Sequence, residues 1–366
     1  MLSMSYKSAF FNVVGAALIL PVFFVISGSS VTLPESFYKV DGIAMPIGII
    51  VLLLFRKKSS NLYELIFLTL IAMYITVGYL EGFQRHLLTI QFLYFFVVLY
   101  ILKNLTYSEL YEINRALVYS LMAFILMHFL SIIFFSDGNY FGGTTNLFGF
   151  IIYQSHLTYP LVLSFGIAIL CQYNNLPWSI KYIFIFLAAC IIFLTLRRVG
   201  LVIYLFTLIL FVPWHGKLFL TLSIFLSALF VLDVSYLIDK ADRLFSILDS
   251  GKLSRSKAWA DALDVWNQPL AAIFGNGQNN YAHNFFLQQL ATHGTLIGAI
   301  LILFALYLIF SSIYTAANFY KKLFYILVVI VVDFNLNANL TQFYYAGVLA
   351  LFLAGARREA YIGRKI

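Results

Sequence analysis

Runs of about 20 apolar residues recur along the whole chain, and no other feature narrows its possible folds so sharply. Such a run crosses a bilayer as a helix, because the hydrocarbon core is about 30 Å thick and a helix rises about 1.5 Å per residue. Twelve runs can be drawn, at 9–26, 43–55, 62–80, 87–102, 113–135, 147–171, 180–196, 200–213, 218–238, 295–317, 323–340 and 341–356. Residues are 62% hydrophobic, 18% aromatic and only 10% charged, whereas a soluble domain carries about 25% charged residues. A water-soluble fold and a disordered chain are both excluded. The expected architecture is a single all-α polytopic membrane domain over residues 1–366, with about twelve transmembrane helices. The 25 Tyr and 38 Phe supply its interfacial belts.

The first run is longer than a signal-peptide core and lacks a small-residue cleavage site, so it is expected to be retained. With a cytoplasmic amino terminus, fourteen of the 23 Lys and Arg fall on the cytoplasmic side, and the short outer connections hold only Lys39, Arg85, Arg197 and Arg198. That distribution obeys the positive-inside rule. The run at 43–55 is short for a span, and the triplet Arg56, Lys57 and Lys58 behind it argues for keeping it. The net charge of +8 therefore reads as topology and not as a nucleic-acid surface. The two cysteines, Cys171 and Cys190, lie in apolar stretches and offer neither a disulfide framework nor a metal site.

The one long hydrophilic stretch, 239–294, faces outward in this scheme and carries five basic and five acidic residues. It has no broad basic field, so any anion site there rests on particular side chains. Ser254 is a candidate N-cap, and Arg255, Trp259, Leu263 and Trp266 recur at helical spacing before Pro269. This pattern predicts an amphipathic helix at the membrane surface, with both Trp at headgroup depth and Arg255 in the first turn, where the helix N-terminus favours anions. After a Gly275-Asn276-Gly277 turn comes Tyr281-Ala282-His283-Asn284. A helix continuous from Asn284 into the next span extends outward from Gly294 by roughly 15 Å. It would hold His283 over the outer mouth of the bundle.

Arg197 and Arg198 stand between two spans in a very short outer connection. Arginines so near hydrocarbon are functional candidates, and the structural alternative is an ion pair with Asp233 or Asp333. Arg85 at another outer helix mouth is a further candidate, for an anionic ligand or for interface anchoring. His128 and His156 lie in apolar runs as packing residues, and His215 is on the cytoplasmic side. His293, ten residues beyond His283, falls about 80° off its face on a continuous helix.

The Thr195-x-x-Arg198-x-Gly200 element at a helix end, followed by Arg255-(x)3-Trp259, Pro269, Gly275-x-Gly277, His283-Asn284-(x)2-Leu287 and Gly294, resembles the O-antigen ligase and O-antigen polymerase superfamily. The resemblance implies a metal-independent, cofactor-free membrane glycosyltransferase in the bacterial inner membrane. It would act at the periplasmic face on a glycan carried by undecaprenyl pyrophosphate, and the 239–294 loop would be periplasmic. Arg198 and Arg255 would bind the donor pyrophosphate, with Arg85 in support. His283 would deprotonate the acceptor hydroxyl, and Asn284, Arg197 and His293 are secondary candidates. The chain departs from the family pattern at Arg197, where Ser is common, and at His293, where an acidic residue is common.

The chemistry suits these residue types. A pyrophosphate leaving group needs its developing charge stabilised, which a guanidinium does with a bidentate, always-charged fork. A sugar hydroxyl needs a base that titrates near neutral pH, and His does. No metal-ligand spacing accompanies them in the sequence. Expected activities are a surface-glycan polymerase or, with lipid A-core as acceptor, an O-antigen ligase. A transporter of lipid-linked oligosaccharide would also use arginines, but it calls for charges deep in spans and repeated halves.

Overall fold

The computed structural model describes residues 95, 99, 102, 105–135, 144–147, 150–153, 159–195, 198–217, 254–275, 284–314, 318–334 and 348–354. Helix dominates them. Helix α1 spans Tyr107–Phe135, α2 Tyr159–Gln172, α3 Trp178–Thr195 and α4 Arg198–Phe211. After α5 (Ser254–Asp264), a 3-10 turn (Val265–Asn267) and α6 (Pro269–Phe274) come α7 (Phe285–Tyr314) and α8 (Phe319–Val329), which runs into a π-helical segment, Ile330–Phe334. Residues 348–354 are also helical. Among the described residues, two helices are long and apolar enough to cross a membrane, within α1 (Ser108–Leu130) and along α7 (Phe285–Tyr314). The expected spans 9–26, 43–55, 62–80 and 218–238 lie outside the described residues, as does most of 87–102.

Start signals in the sequence explain where the helices begin. Thr106 and Glu109 form a capping box before α1: the Thr106 N–H donates to Glu109 Oε2 at 2.8 Å, and the Glu109 N–H to Thr106 Oγ1 at 3.4 Å. Pro160 sits in the first turn of α2, where a missing N–H costs nothing. The expected span 147–171 is corrected here. Its first residues belong to an antiparallel pair, β1 (Thr144–Leu147) with β2 (Phe150–Tyr153), in register Thr144↔Tyr153 to Leu147↔Phe150. The pairing leaves only Phe148 and Gly149 between the strands, and β-branched Thr144, Thr145, Ile151 and Ile152 favour extended backbone. An apolar run therefore divides into hairpin and helix.

Helix α2 is the axis of the bundle, because residues 161–171 are buried on every side, as an all-round apolar helix must be. Helices α1, α3 and α4 pack around it, and α8 packs on α4. In a membrane these contacts rest on van der Waals packing and hydrogen bonds more than on water exclusion. Tyr325 of α8 shows both. Its hydroxyl lies 2.9 Å from Thr207 Oγ1, and its ring meets Phe211, Phe165 and Phe352 edge-on at centroid distances of 5.3, 5.9 and 5.5 Å. The Tyr204 hydroxyl donates to the Ile185 carbonyl at 2.6 Å, tying α4 to α3.

The contacts also order the ends of the bundle. Tyr111 near the start of α1 stacks on Tyr173 just after α2 at 5.7 Å, with their hydroxyls 3.1 Å apart, and Asn175 donates to the Tyr111 hydroxyl. Lys181 Nζ donates to the Cys171 carbonyl at 3.0 Å and lies 4.5 Å over the Trp178 ring, satisfying a carbonyl in the last turn of α2. Arg115, Lys181, Lys217, Lys321 and Lys322 thus gather at one end. The start of α4 and the π segment after α8 belong to the opposite end. Cys171 and Cys190 are free thiols, and His128 is a buried packing residue whose ring lies 5.7 Å from that of Phe124.

Candidate functional site

Two of the motif elements, the start of α4 and the start of α7, are linked at the end of the bundle opposite the basic cluster. Arg198 is the first residue of α4, three residues beyond the end of α3 at Thr195. Helices α4 and α8 run antiparallel, with Thr207 against Tyr325 and Phe206 against Phe324 at 5.7 Å. Helical spacing from those contacts brings the start of α4 level with Asp333 and Phe334, and α4 touches the π segment. Phe334 in turn meets Phe285 and Phe286 at the start of α7, at 5.2 and 6.2 Å. Asp333, considered from sequence only as an ion-pair partner, is fully buried beside this junction.

Helix α7 is two arms. Gly294 has φ 78° and ψ 169°, outside helical space, and separates residues 285–293 from the long apolar arm beyond. A β-carbon on Gly298 would lie 2.8 Å from the Gln289 carbonyl oxygen. The short arm therefore folds back steeply against the long one. This corrects the expectation of a helix running straight outward from Gly294, and with it the 80° relation between His283 and His293. Asn284, 7% exposed, caps the short arm, its Oδ1 accepting from the Leu287 N–H at 3.0 Å. His283 lies just before that cap, outside the described residues, as do Arg85 and Arg197. His293 is fully buried, immediately before the break.

The loop helices clamp the short arm. Gly275 after α6 has φ 77° and ψ 165°, and a β-carbon there would lie 2.6 Å from the Gly294 nitrogen and collide with the Thr292 carbonyl. Reciprocally, a β-carbon on Gly294 would strike the Ile273 carbonyl and the Gly275 nitrogen. The two backbones meet in a conformation essentially reserved for glycine. A small apolar cluster backs the contact: Ala262, Val265, Ala271 and Ala291, with Trp259 and Leu287 against it.

Arg255 is in the first turn of α5, one helical turn before Trp259, as expected. Other details of the loop differ from the sequence expectation. The helix begins at Ser254 itself and ends at Asp264, so Trp266 belongs to the 3-10 turn. Leu263 is exposed, and Ala262 faces inward with Trp259. The outward apolar edge of the loop is formed by Leu270, Ile273 and Phe274 of α6, 75%, 44% and 52% exposed. On the long arm of α7, exposed Leu296, Ile300, Leu303 and Tyr307 continue in a stripe.

Sequence reasoning missed the polar side of the short arm. Gln288, Gln289, Thr292 and His293 are all buried to within 1%. Both polar atoms of Gln289 and the Thr292 hydroxyl have no hydrogen-bond partner among the described residues, nor do the indole nitrogens of Trp259 and Trp266. The available signal was the run Gln288-Gln289-x-x-Thr292-His293 directly before an apolar span. Among the described residues, no group of three or more His, Cys, Asp or Glu is placed to hold a metal ion. No family model, curated protein or solved structure matches the chain.

Proposed function

We propose that the protein is an inner-membrane glycosyltransferase. It would move a glycan from undecaprenyl pyrophosphate to an acceptor hydroxyl at the periplasmic face, extending a surface polysaccharide. The observation that carries the proposal is the link between α4, which begins at Arg198, and the capped start of α7: α4 touches the π segment, whose Phe334 meets Phe285. Helix α5, with Arg255 in its first turn, packs on α7, and His283 directly precedes the Asn284 cap in sequence.

In this scheme the donor's sugar–pyrophosphate bond breaks as the acceptor oxygen attacks. Arg198 and Arg255, with Arg85 in support, neutralise the charge that develops on the leaving pyrophosphate. His283 takes the proton from the acceptor hydroxyl. Arg197, His293 and Asn284 support these groups, and Asn284 does so by capping the arm. The exposed α6 edge and the α7 stripe suit contact with membrane lipid and with the donor's polyprenyl chain.

Purified full-length protein in lipid, given a lipid-pyrophosphate oligosaccharide with and without lipid A-core, tests the proposal. Chain lengthening is expected. Transfer to lipid A-core would instead make it a ligase, and movement across the bilayer without bond exchange would make it a transporter.

A further inference from the structure

The geometry points to α6 as a wedge set into the bilayer, with Leu270, Ile273 and Phe274 among lipid acyl chains at the end of the bundle opposite the basic cluster. These three residues share one face of the helix, at the i, i+3, i+4 spacing of neighbours, and are 75%, 44% and 52% exposed. Ala271 turns the other way, into the small cluster against α7. The outward face of α6 is therefore wholly apolar and open among the described residues, and its position says what covers it.

Two contacts fix that position. Helix α6 packs on α7, and the backbone at Gly275 meets that at Gly294, where the long apolar arm of α7 begins. The exposed Leu296, Ile300, Leu303 and Tyr307 of this arm lie on a helix long and apolar enough to cross a membrane. Leu296 comes two residues after Gly294 and Phe274 immediately before Gly275, so the stripe and the α6 edge meet at the glycine pair. Charge agrees with lipid as the occupant. From Val265 to Tyr320 the chain carries no Asp, Glu, Lys or Arg, whereas α5 just before holds Arg255, Lys257, Asp261 and Asp264. A loop in water has no reason to shed every charge at that boundary, while in a segment entering hydrocarbon each charge is costly. The backbone is suited as well. Pro269 brings no N–H, and the Ala272 and Gly275 N–H groups donate to the Gln268 and Ala271 carbonyls at 2.8 and 2.7 Å. The sequence placed the membrane contact on α5 through Trp259 and Trp266, yet Trp259 packs into the cluster and both indole nitrogens are buried. The contact passes from α5 to α6. None of this depends on the transferase reading.

The test uses full-length protein carrying Cys190→Ala in nanodiscs of phosphatidylethanolamine and phosphatidylglycerol. A nitroxide is attached in turn at Leu270→Cys, Ile273→Cys, Leu303→Cys and Asp261→Cys, all exposed positions whose replacement leaves the packing intact, and the protein with only the buried Cys171 is the blank. Power saturation reads collisions with oxygen, which concentrates in hydrocarbon, and with a water-soluble nickel chelate. Labels at 270 and 273 should match the oxygen-to-nickel ratio at 303 and exceed that at 261 several-fold. A ratio at 270 and 273 equal to that at 261 would overturn the wedge. Protection from both reagents would overturn it too, giving the face to a second copy of the chain where spin–spin broadening accompanies the protection, and to another segment of the same chain where it does not.

Discussion

At the residue scale the proposed chemistry separates into charge, proton and backbone. Arg198→Lys and Arg255→Lys keep the charge but lose the planar fork. Each should lower kcat/KM by about 10- to 100-fold at equal protein level, the range expected when a charge-assisted hydrogen bond is lost. Near-wild-type turnover in both would favour an ion pair of purely structural value. His283→Gln can hydrogen-bond but cannot accept a proton at neutral pH, and should reduce the chemical step by about 10² to 10⁴. A base must be unprotonated to act. The wild-type rate is thus full above the imidazole pKa, ordinarily about 6.5, and declines as pH drops through it; a flat profile would remove His283 from that role. Gly275→Ala and Gly294→Ala each force a β-carbon into opposing backbone. Each should cost about 1–3 kcal/mol from φ/ψ strain alone, read as a lowered Tm. Because both break one contact, the double variant should lose less than the sum.

At the scale of elements, legibility followed the physics of each signal. The spans expected at 113–135, 180–196 and 200–213 correspond to α1, α3 and α4 because a long apolar run has few alternatives in lipid. The hairpin at 144–153 was hidden, since an apolar strand and the start of an apolar helix look alike over a few residues. Gly294 was equally opaque as a break, because glycine is common inside membrane helices; only the approach of Gly275 makes its backbone angle compulsory. The expected spans 323–340 and 341–356 are represented by α8, the π segment and residues 348–354. In the loop, Arg255 in a first turn was legible from the spacing around it, whereas the inward choice of Ala262 over Leu263 depends on α6 and α7, which are distant in sequence. Where a local signal is complete it can be tested alone. Replacing Glu109 with Ala removes the reciprocal cap of α1 and should destabilise the protein by about 1 kcal/mol, measured as a shift in denaturation midpoint.

At the scale of the whole molecule, the basic end formed by Arg115, Lys181, Lys217, Lys321 and Lys322 lies opposite the end where α4 and α7 begin. The proposed orientation, which follows the positive-inside rule, has that basic end in the cytoplasm. A cysteine placed at Ser250 should label from outside, and one at Gly363 only after permeabilisation; outside labelling at Gly363 would invert the scheme. The link between the start of α4 and the start of α7 was not legible. Order along the chain suggested a shared site, but the contact of α4 with the π segment and the reach of Phe334 to Phe285 are what join these two elements. The Gly275–Gly294 contact bears on how such a molecule can diversify. Each glycine occupies the space that a β-carbon on the other would need, so neither position can change alone without moving the facing backbone. The two are inherited as a unit or lost as one, while the exposed Leu270, Ile273 and Phe274 beside them are free to vary within apolar types.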